Sequence, residues 1–217
     1  MTKTVIFDFD GTLADTFAVL IEITNELAPE FGYQTVDEQQ IAQLQGLSSR
    51  EIVKIAGICR WQIPFLLFRF KKDFRRKANR VKLFPQITHM LQTLKYAGYK
   101  IGIISSNSVE NIETVLDRYQ IKNLFSFVYS CSVFGKSRAI NSALLANYIN
   151  ISEAIYVGDE IRDIDAAKRS KIPVIAVTWG FNSVEILTKR QPDYLVNKPQ
   201  EIIKLLVKEE IKNVDRS

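Results

Sequence analysis

The chain has 217 residues, 47% hydrophobic, 24% charged and 11% aromatic, a balance that supplies a core and excludes intrinsic disorder. Two cysteines, Cys59 and Cys131, are too few for a disulfide framework and match no zinc or redox spacing, which predicts free thiols in a reducing compartment. The net charge of +5 is misleading as a global property, because residues 69–82 (RFKKDFRRKANRVK) hold eight bases against one acid and the rest of the chain sums to −2.

In chain order, MTKTVIFDFDGT has no signal-peptide stretch, and TVIFDF (4–9) reads as a buried strand stopped by Asp10-Gly11. No strand pattern occurs from Ala14 to Val81. Helical spacing does, over 17–28, 37–44, 49–58 and 63–81, the last with Ile63, Leu67, Phe70, Phe74, Ala78 and Val81 on one face and Pro64 in its first turn. The apolar run at 61–70 is too short to cross a bilayer and is interrupted by Gln62 and Arg69, so a soluble, cytoplasmic protein with no membrane partner is expected. A helix over 85–96 precedes the strand KIGIIS (100–105), and Ser108 caps a helix bearing Ile112, Val115, Leu116 and Tyr119. FSFVYS (125–130), AIYVGD (154–159), PVIAVT (173–178) and YLV (194–196) are further strands, with helices over 137–149 and 163–170. Pro199 opens a closing helix through Val207, and the tail KEEIKNVDRS frays.

This alternation predicts an α/β fold: a Rossmann-like, doubly wound, mostly parallel sheet covered on both faces. The core comprises residues 1–14 and 82–217, and the all-helical stretch 15–81 is an inserted module, with hinge crossings near Ala14–Thr16 and Val81–Phe84. Ligands of such sheets bind beyond the carboxyl ends of the strands, so the polar residues found there carry the function.

The first strand ends in Asp8 and Asp10, on one side of the chain by the two-residue period, followed by Gly11 and Thr12. The next ends in Ser105-Ser106-Asn107. Lys136 opens a helix after Gly135, and Gly158-Asp159 ends a further strand with Asp163 four residues on. Four converging carboxylates call for a hard divalent metal beside Lys136, and Mg2+, which fills its octahedron with water and phosphate oxygens, suits the set better than Ca2+. Chemistry on phosphate follows, since it needs charge neutralisation and in-line positioning.

DFDGT (8–12), the strand ending in Ser105, Lys136 and GDEIRD (158–163), in that order, resemble the four motifs of the haloacid dehalogenase superfamily, and the inserted helices resemble the α-helical cap of its phosphoglycolate phosphatase and β-phosphoglucomutase branch. The resemblance implies that Asp8 is the nucleophile and Asp10 the general acid and base. It implies that Asp8, the Asp10 carbonyl and Asp159 hold Mg2+, with Asp163 acting behind them. It further implies that Ser105, Ser106 and Asn107, with Gly11 and Thr12, bind phosphate, and that Lys136 screens charge. GLSSRE (46–51) is similar to a substrate-contacting cap loop, in which Arg50 could hold a distal anion.

The function expected is a Mg2+-dependent phosphatase acting on a small phosphate monoester through an aspartyl-phosphate on Asp8, phosphoglycolate being the nearest specific substrate. The alternatives are a phosphoryl-transfer mutase of the β-phosphoglucomutase type, and a regulatory or binding protein whose basic helix docks an acidic partner. Segment 69–82 is read as a solvated helix face; no nucleic-acid-binding motif accompanies it, and a monomer or homodimer is expected. His89 matches no motif and is assigned to surface or packing, as Trp179-Gly180-Phe181 is to packing. Trp61, Phe65, Phe68 and Phe70 are assigned to the inserted module's core or a dimer contact.

Overall fold

The β-branched runs form a six-stranded parallel sheet in a computed structural model that describes residues 3–47, 49–59, 61–132 and 135–214, the side chains of residues 38, 39, 42, 49, 50 and 208–214 lying outside the described set. Its first strand is β1 (Thr4–Phe7). Two short strands, β2 (Ala14–Asp15) and β3 (Lys82–Leu83), stand apart from it, and the sheet resumes with β4 (Lys100–Ser105), β5 (Phe127–Ser130), β6 (Ala154–Gly158), β7 (Val174–Val177) and β8 (Tyr194–Val196). The spatial order is β5-β4-β1-β6-β7-β8, so β1 lies between β4 and β6 and the winding reverses beside it.

The two-residue period divides the core. Val5 and Phe7 face one side with Ile101, Ile103, Val157 and Ile175, against α5 (Ile87–Tyr96), α6 (Val109–Arg118) and α10 (Pro199–Val214). Ile6 faces the other with Ile104, Tyr156, Val174 and Ala176, against α7 (Lys136–Ala146) and α8 (Ile161–Arg169). Burial on both faces is why these strands read as unbroken apolar runs. At roughly 1.5–3 kcal/mol per fully buried aliphatic or aromatic side chain, the two layers supply most of the stabilisation.

Between β2 and β3 lie α1 (Phe17–Phe31), α2 (Glu38–Leu44), α3 (Ser49–Ile55) and α4 (Ile63–Lys77). The chain enters and leaves this helical segment through an antiparallel pair, Ala14 opposite Leu83 and Asp15 opposite Lys82. Two residues per strand are too few to show a period, so the sequence revealed neither. Asp37 caps α2 in a reciprocal capping box with Gln40. Helix α1 runs past Pro29 to Phe31, because a proline in the last turn removes only one hydrogen bond, and Gly32 closes it at φ 74°. Helix α4 stops at Lys77 and tightens into a 3-10 turn at Ala78–Arg80, where the Arg118 guanidinium donates to the Ala78, Asn79 and Val81 carbonyls.

The basic segment meets an acidic ridge. Glu22, Glu26 and Glu30 recur every four residues on α1 and so line one face. Lys77 lies 2.8 Å from Glu22 and Glu26, Arg80 2.8 Å from Glu22, and Arg69 2.5 Å from Glu30. Part of the charge read as solvated is therefore spent holding α4 on α1. Helix α9 (Val184–Lys189) was not foreseen, and α10 continues to Val214 through a Lys- and Glu-rich stretch of good helix formers. Among the described residues no helix is long and apolar enough to cross a membrane.

Candidate active site at the strand ends

The reversal of winding opens a crevice above β1, and the residues ending β4, β1 and β6 meet there. Asp8 extends the ladder through its N–H to the Val157 carbonyl at 2.8 Å. The chain then folds back tightly, the amides of Leu13 and Ala14 donating to Phe9 O at 3.0 and 2.9 Å, with Gly11 in the left-handed region at φ 75°. Glycine is required there twice over, since a Cβ would also stand 2.2 Å from Asp159 Oδ2.

Lys136, at the start of α7, is almost wholly buried. Its ammonium donates to Asp8 Oδ2 at 2.6 Å and to Asp163 Oδ1. Burial disfavours the charged ammonium, but Asp163 and Asp8 together outweigh that and hold its pKa well above the ordinary value. Asp163 is fixed from its other oxygen by the Glu160 N–H at 3.0 Å, within a capping box at the head of α8. Burial, partly relieved by Lys136, lifts Asp163 to about 6. Asp159 accepts from the Thr12 hydroxyl at 2.6 Å and the Phe181 N–H at 2.7 Å, and burial, then Glu160, Asp163 and Asp8, push its carboxyl well up.

Ligand oxygens of Asp8, Asp159 and Asp163 lie within 4.8 Å of one another, all three residues buried. Three carboxylates there face a single ammonium, and the donors are all oxygen. That set fits a hard divalent cation. Asp10 turns the other way, accepting from Asn107 Nδ2 at 3.2 Å and Ser105 Oγ at 3.5 Å. Burial first, and the Asp8 charge second, raise its carboxyl to about 7. The Asn107 amide is oriented by its neighbours, because its Oδ1 accepts from the Ser108 N–H and from Asn111 Nδ2, both at 2.9 Å, leaving the NH2 for Asp10.

The structure thus gathers Asp8, Asp10, Ser105, Asn107, Lys136, Asp159 and Asp163. Gly11 and Thr12 shape the Asp159 side of the crevice. Ser106 lies beside them but is engaged by Arg162 Nη1 at 3.3 Å. The side chain of Arg50 lies outside the described residues. His89 is exposed, and Phe70 packs against the core.

Three residues assigned to packing do pack, Trp179 on the core and Phe181 on Phe17, and also reach the site residues. The Phe181 N–H orients Asp159, a Cβ on Gly180 would stand 2.3 Å from the Asp159 side chain, and Trp179 Nε1 donates to the Thr12 carbonyl at 3.0 Å. The one signal was position, a glycine just beyond a strand end. Asn182, next in the chain, accepts from the Ile161 N–H at 2.9 Å and donates to the Gln45 and Leu47 carbonyls at 3.0 and 3.2 Å, tying α8 to the helical segment. Arg162 bridges Ser106 and Glu160, and nothing in its spacing announced it.

A Rossmann-like sheet with a helical insertion after its first strand and paired aspartates at its switch point defines an α/β protein with an aspartate-lined site. Residues 5–177 match the family of haloacid dehalogenase-like hydrolases, and the chain belongs to it. It is 38% identical over 202 residues to the phosphoglycolate phosphatase of Synechococcus elongatus, covering 93% of this chain and 95% of that one. It is 22% identical over 208 residues to that of Aquifex aeolicus, covering 94% and 96%. Its fold is that of a haloacid dehalogenase-like family hydrolase from Streptococcus pneumoniae (TM-score 0.80, 25% identity, 94% and 98% covered) and of CbbY from Rhodobacter sphaeroides solved with phosphate (0.74, 18%, 93% and 96%). The protein is a hydrolase of this family, in its phosphoglycolate phosphatase-like branch.

Proposed function

We propose that the chain is a Mg2+-dependent phosphatase that hydrolyses a small phosphate monoester through a phosphorylated Asp8, with phosphoglycolate as the first candidate. The observation carrying this reading is the pairing of Asp8, held by Lys136 beside two further buried carboxylates, with Asp10 two residues away at a pKa of about 7.

Asp8, Asp159, Asp163 and the Asp10 carbonyl are the residues that would hold Mg2+, directly or through water. The metal supplies charge neutralisation for the transferring phosphoryl group. The chain's residues do the rest. An Asp8 oxygen attacks phosphorus as the ester P–O bond breaks, and the leaving oxygen takes the proton of Asp10. Water then attacks the aspartyl-phosphate, Asp10 takes its proton, and the P–O bond to Asp8 breaks to release phosphate. A carboxyl near 7 serves both steps at neutral pH, since each protonation state is well populated. Lys136 holds and aims Asp8 through their 2.6 Å ion pair, while Ser105, Ser106 and Asn107 with Gly11 and Thr12 hold the phosphoryl oxygens. Residues 15–81 act as an inserted cap that excludes water, and Gln45 and Leu47 are its contacts with Asn182. The named activity of the Synechococcus relative supports phosphoglycolate.

The test is a phosphate-ester panel spanning 2-phosphoglycolate, glycerol phosphate, glucose 1-phosphate and p-nitrophenyl phosphate, run with Mg2+ and with EDTA. Phosphoglycolate is expected to give the highest kcat/KM, EDTA to stop turnover, and Asp8→Asn to abolish it. Turnover that survives Asp8→Asn refutes the nucleophile, and a flat panel refutes the substrate.

A further inference from the structure

Helix α4 carries two chemistries in succession along one outward face. Trp61, just ahead of the helix, and Phe65 and Phe68 in its first turns are 70%, 64% and 68% exposed. Lys72 lies seven residues on from Phe65, Arg75 seven on from Phe68 and Arg76 eleven on from Phe65, so the same face continues as exposed cations. Arg69, Lys77 and Arg80 are engaged with the acids of α1, and the buried Asp73 lies 3.3 Å from Arg76, whose side chain still stays 69% exposed. At roughly 150–250 Å² per aromatic side chain, three of them two-thirds exposed leave on the order of 400 Å² of apolar surface, a patch large enough to mark an interaction site.

We propose that this face is a two-fold interface between two copies of the chain, with the α4 helices antiparallel. That arrangement sets Phe65 against the partner's Lys72 and Trp61 against the partner's Arg76, with Phe68 close to the axis. The aromatic half of each copy then lies on the cationic half of the other, a cation–π match repeated by symmetry. The two cationic halves come to lie at opposite ends, where they do not repel. With those halves included, the contact approaches the ~800 Å² per partner of a stable interface. An anionic bilayer matches the pattern less well, because a helix lying in a membrane surface keeps its apolar stripe along its whole length with cations at the flanks.

Sedimentation velocity on the full chain through the micromolar range tests this. The wild type is expected to dimerise. Phe65→Lys sets like charge against the partner's Lys72 twice per dimer and is expected to weaken association at least about a hundredfold, with an unchanged circular dichroism spectrum. Adding Lys72→Glu to Phe65→Lys is expected to restore the dimer, because the pair becomes oppositely charged only in the antiparallel register. A wild type that stays monomeric, a dimer indifferent to Phe65→Lys, or a double variant that fails to recover overturns the proposal. A monomer that binds phosphatidylglycerol vesicles, and binds them more tightly as Phe65→Lys, also overturns it and assigns the face to lipid.

Discussion

Replacing Gly180 by alanine isolates the Asp159 environment from every other feature of the site. The added Cβ would stand 2.3 Å from both Cβ and Oδ2 of Asp159, where ordinary van der Waals contact begins at 3.4 Å. Either the Asp159 side chain or the loop at 179–182 must therefore move by about 1 Å. No left-handed backbone angle is involved, so the whole effect comes from that contact. Overpacking of this size costs ~1–3 kcal/mol, a fall in Tm of roughly 2–10 °C for a chain of this length. A 1 Å displacement of a group that orders the reacting centre costs about a hundredfold in rate. The expected outcome is a kcat/KM about 100-fold lower and a higher Mg2+ concentration for half-activation, measured by initial rates across a metal titration. A Gly180→Ala enzyme with wild-type rate and wild-type metal dependence would refute the argument that Asp159 is positioned by this loop.

Lys136→Met leaves Asp8 and Asp163 buried without their ammonium, a loss of ~3–5 kcal/mol in metal-free protein that added Mg2+ should partly reverse; thermal melts with and without Mg2+ check it, and an unshifted Tm counts against the pairing. Asn182→Ala strands the buried Ile161 N–H and frees the Gln45 and Leu47 carbonyls, so faster amide exchange at Ile161 and a raised KM are expected, with a stability loss of ~1–3 kcal/mol by chemical denaturation. Lys77 and Arg80 hold the Glu22 carboxyl below its ordinary 4.5. Its contribution is therefore complete above that value and fades as pH falls through the lower folded one. Glu22→Gln should flatten the acid limb of the stability profile there, and a limb unchanged by the substitution would remove Glu22 from the α1–α4 contact.

Much of the fold could be read from residue order because the relevant forces are local. TVIF, KIGIIS and PVIAVT are β-branched runs that only a sheet buried on both faces accommodates, and the acids at 8, 10, 159 and 163 sit where such runs stop. What escaped was either too short to carry a period, as with β2 and β3, or defined by backbone rather than side chain, as with the Phe181 N–H on Asp159. The acidic partners of the basic segment escaped for a third reason. Glu22, Glu26 and Glu30 are unremarkable at their own positions and meaningful only once α1 lies against α4.

The sequence by itself determined that alternating elements would stack into a parallel sheet and that four aspartates and a lysine would stand at strand ends and helix starts, because side-chain periods of 2 and 3.6 are properties of neighbouring residues. It also placed the excess positive charge in one helix. The tertiary structure decided the rest. The order β4-β1-β6 brings Thr12 within 2.6 Å of Asp159 and Lys136 within 2.6 Å of Asp8, across 147 and 128 residues of chain, and no local preference encodes such separations. It also decided which bases face the acids of α1 and which, with three aromatic rings, face outward. Burial then converts those placements into chemistry, for the Asp10 carboxyl is an ordinary acid in an extended chain and rises to about 7 only where the fold has excluded water.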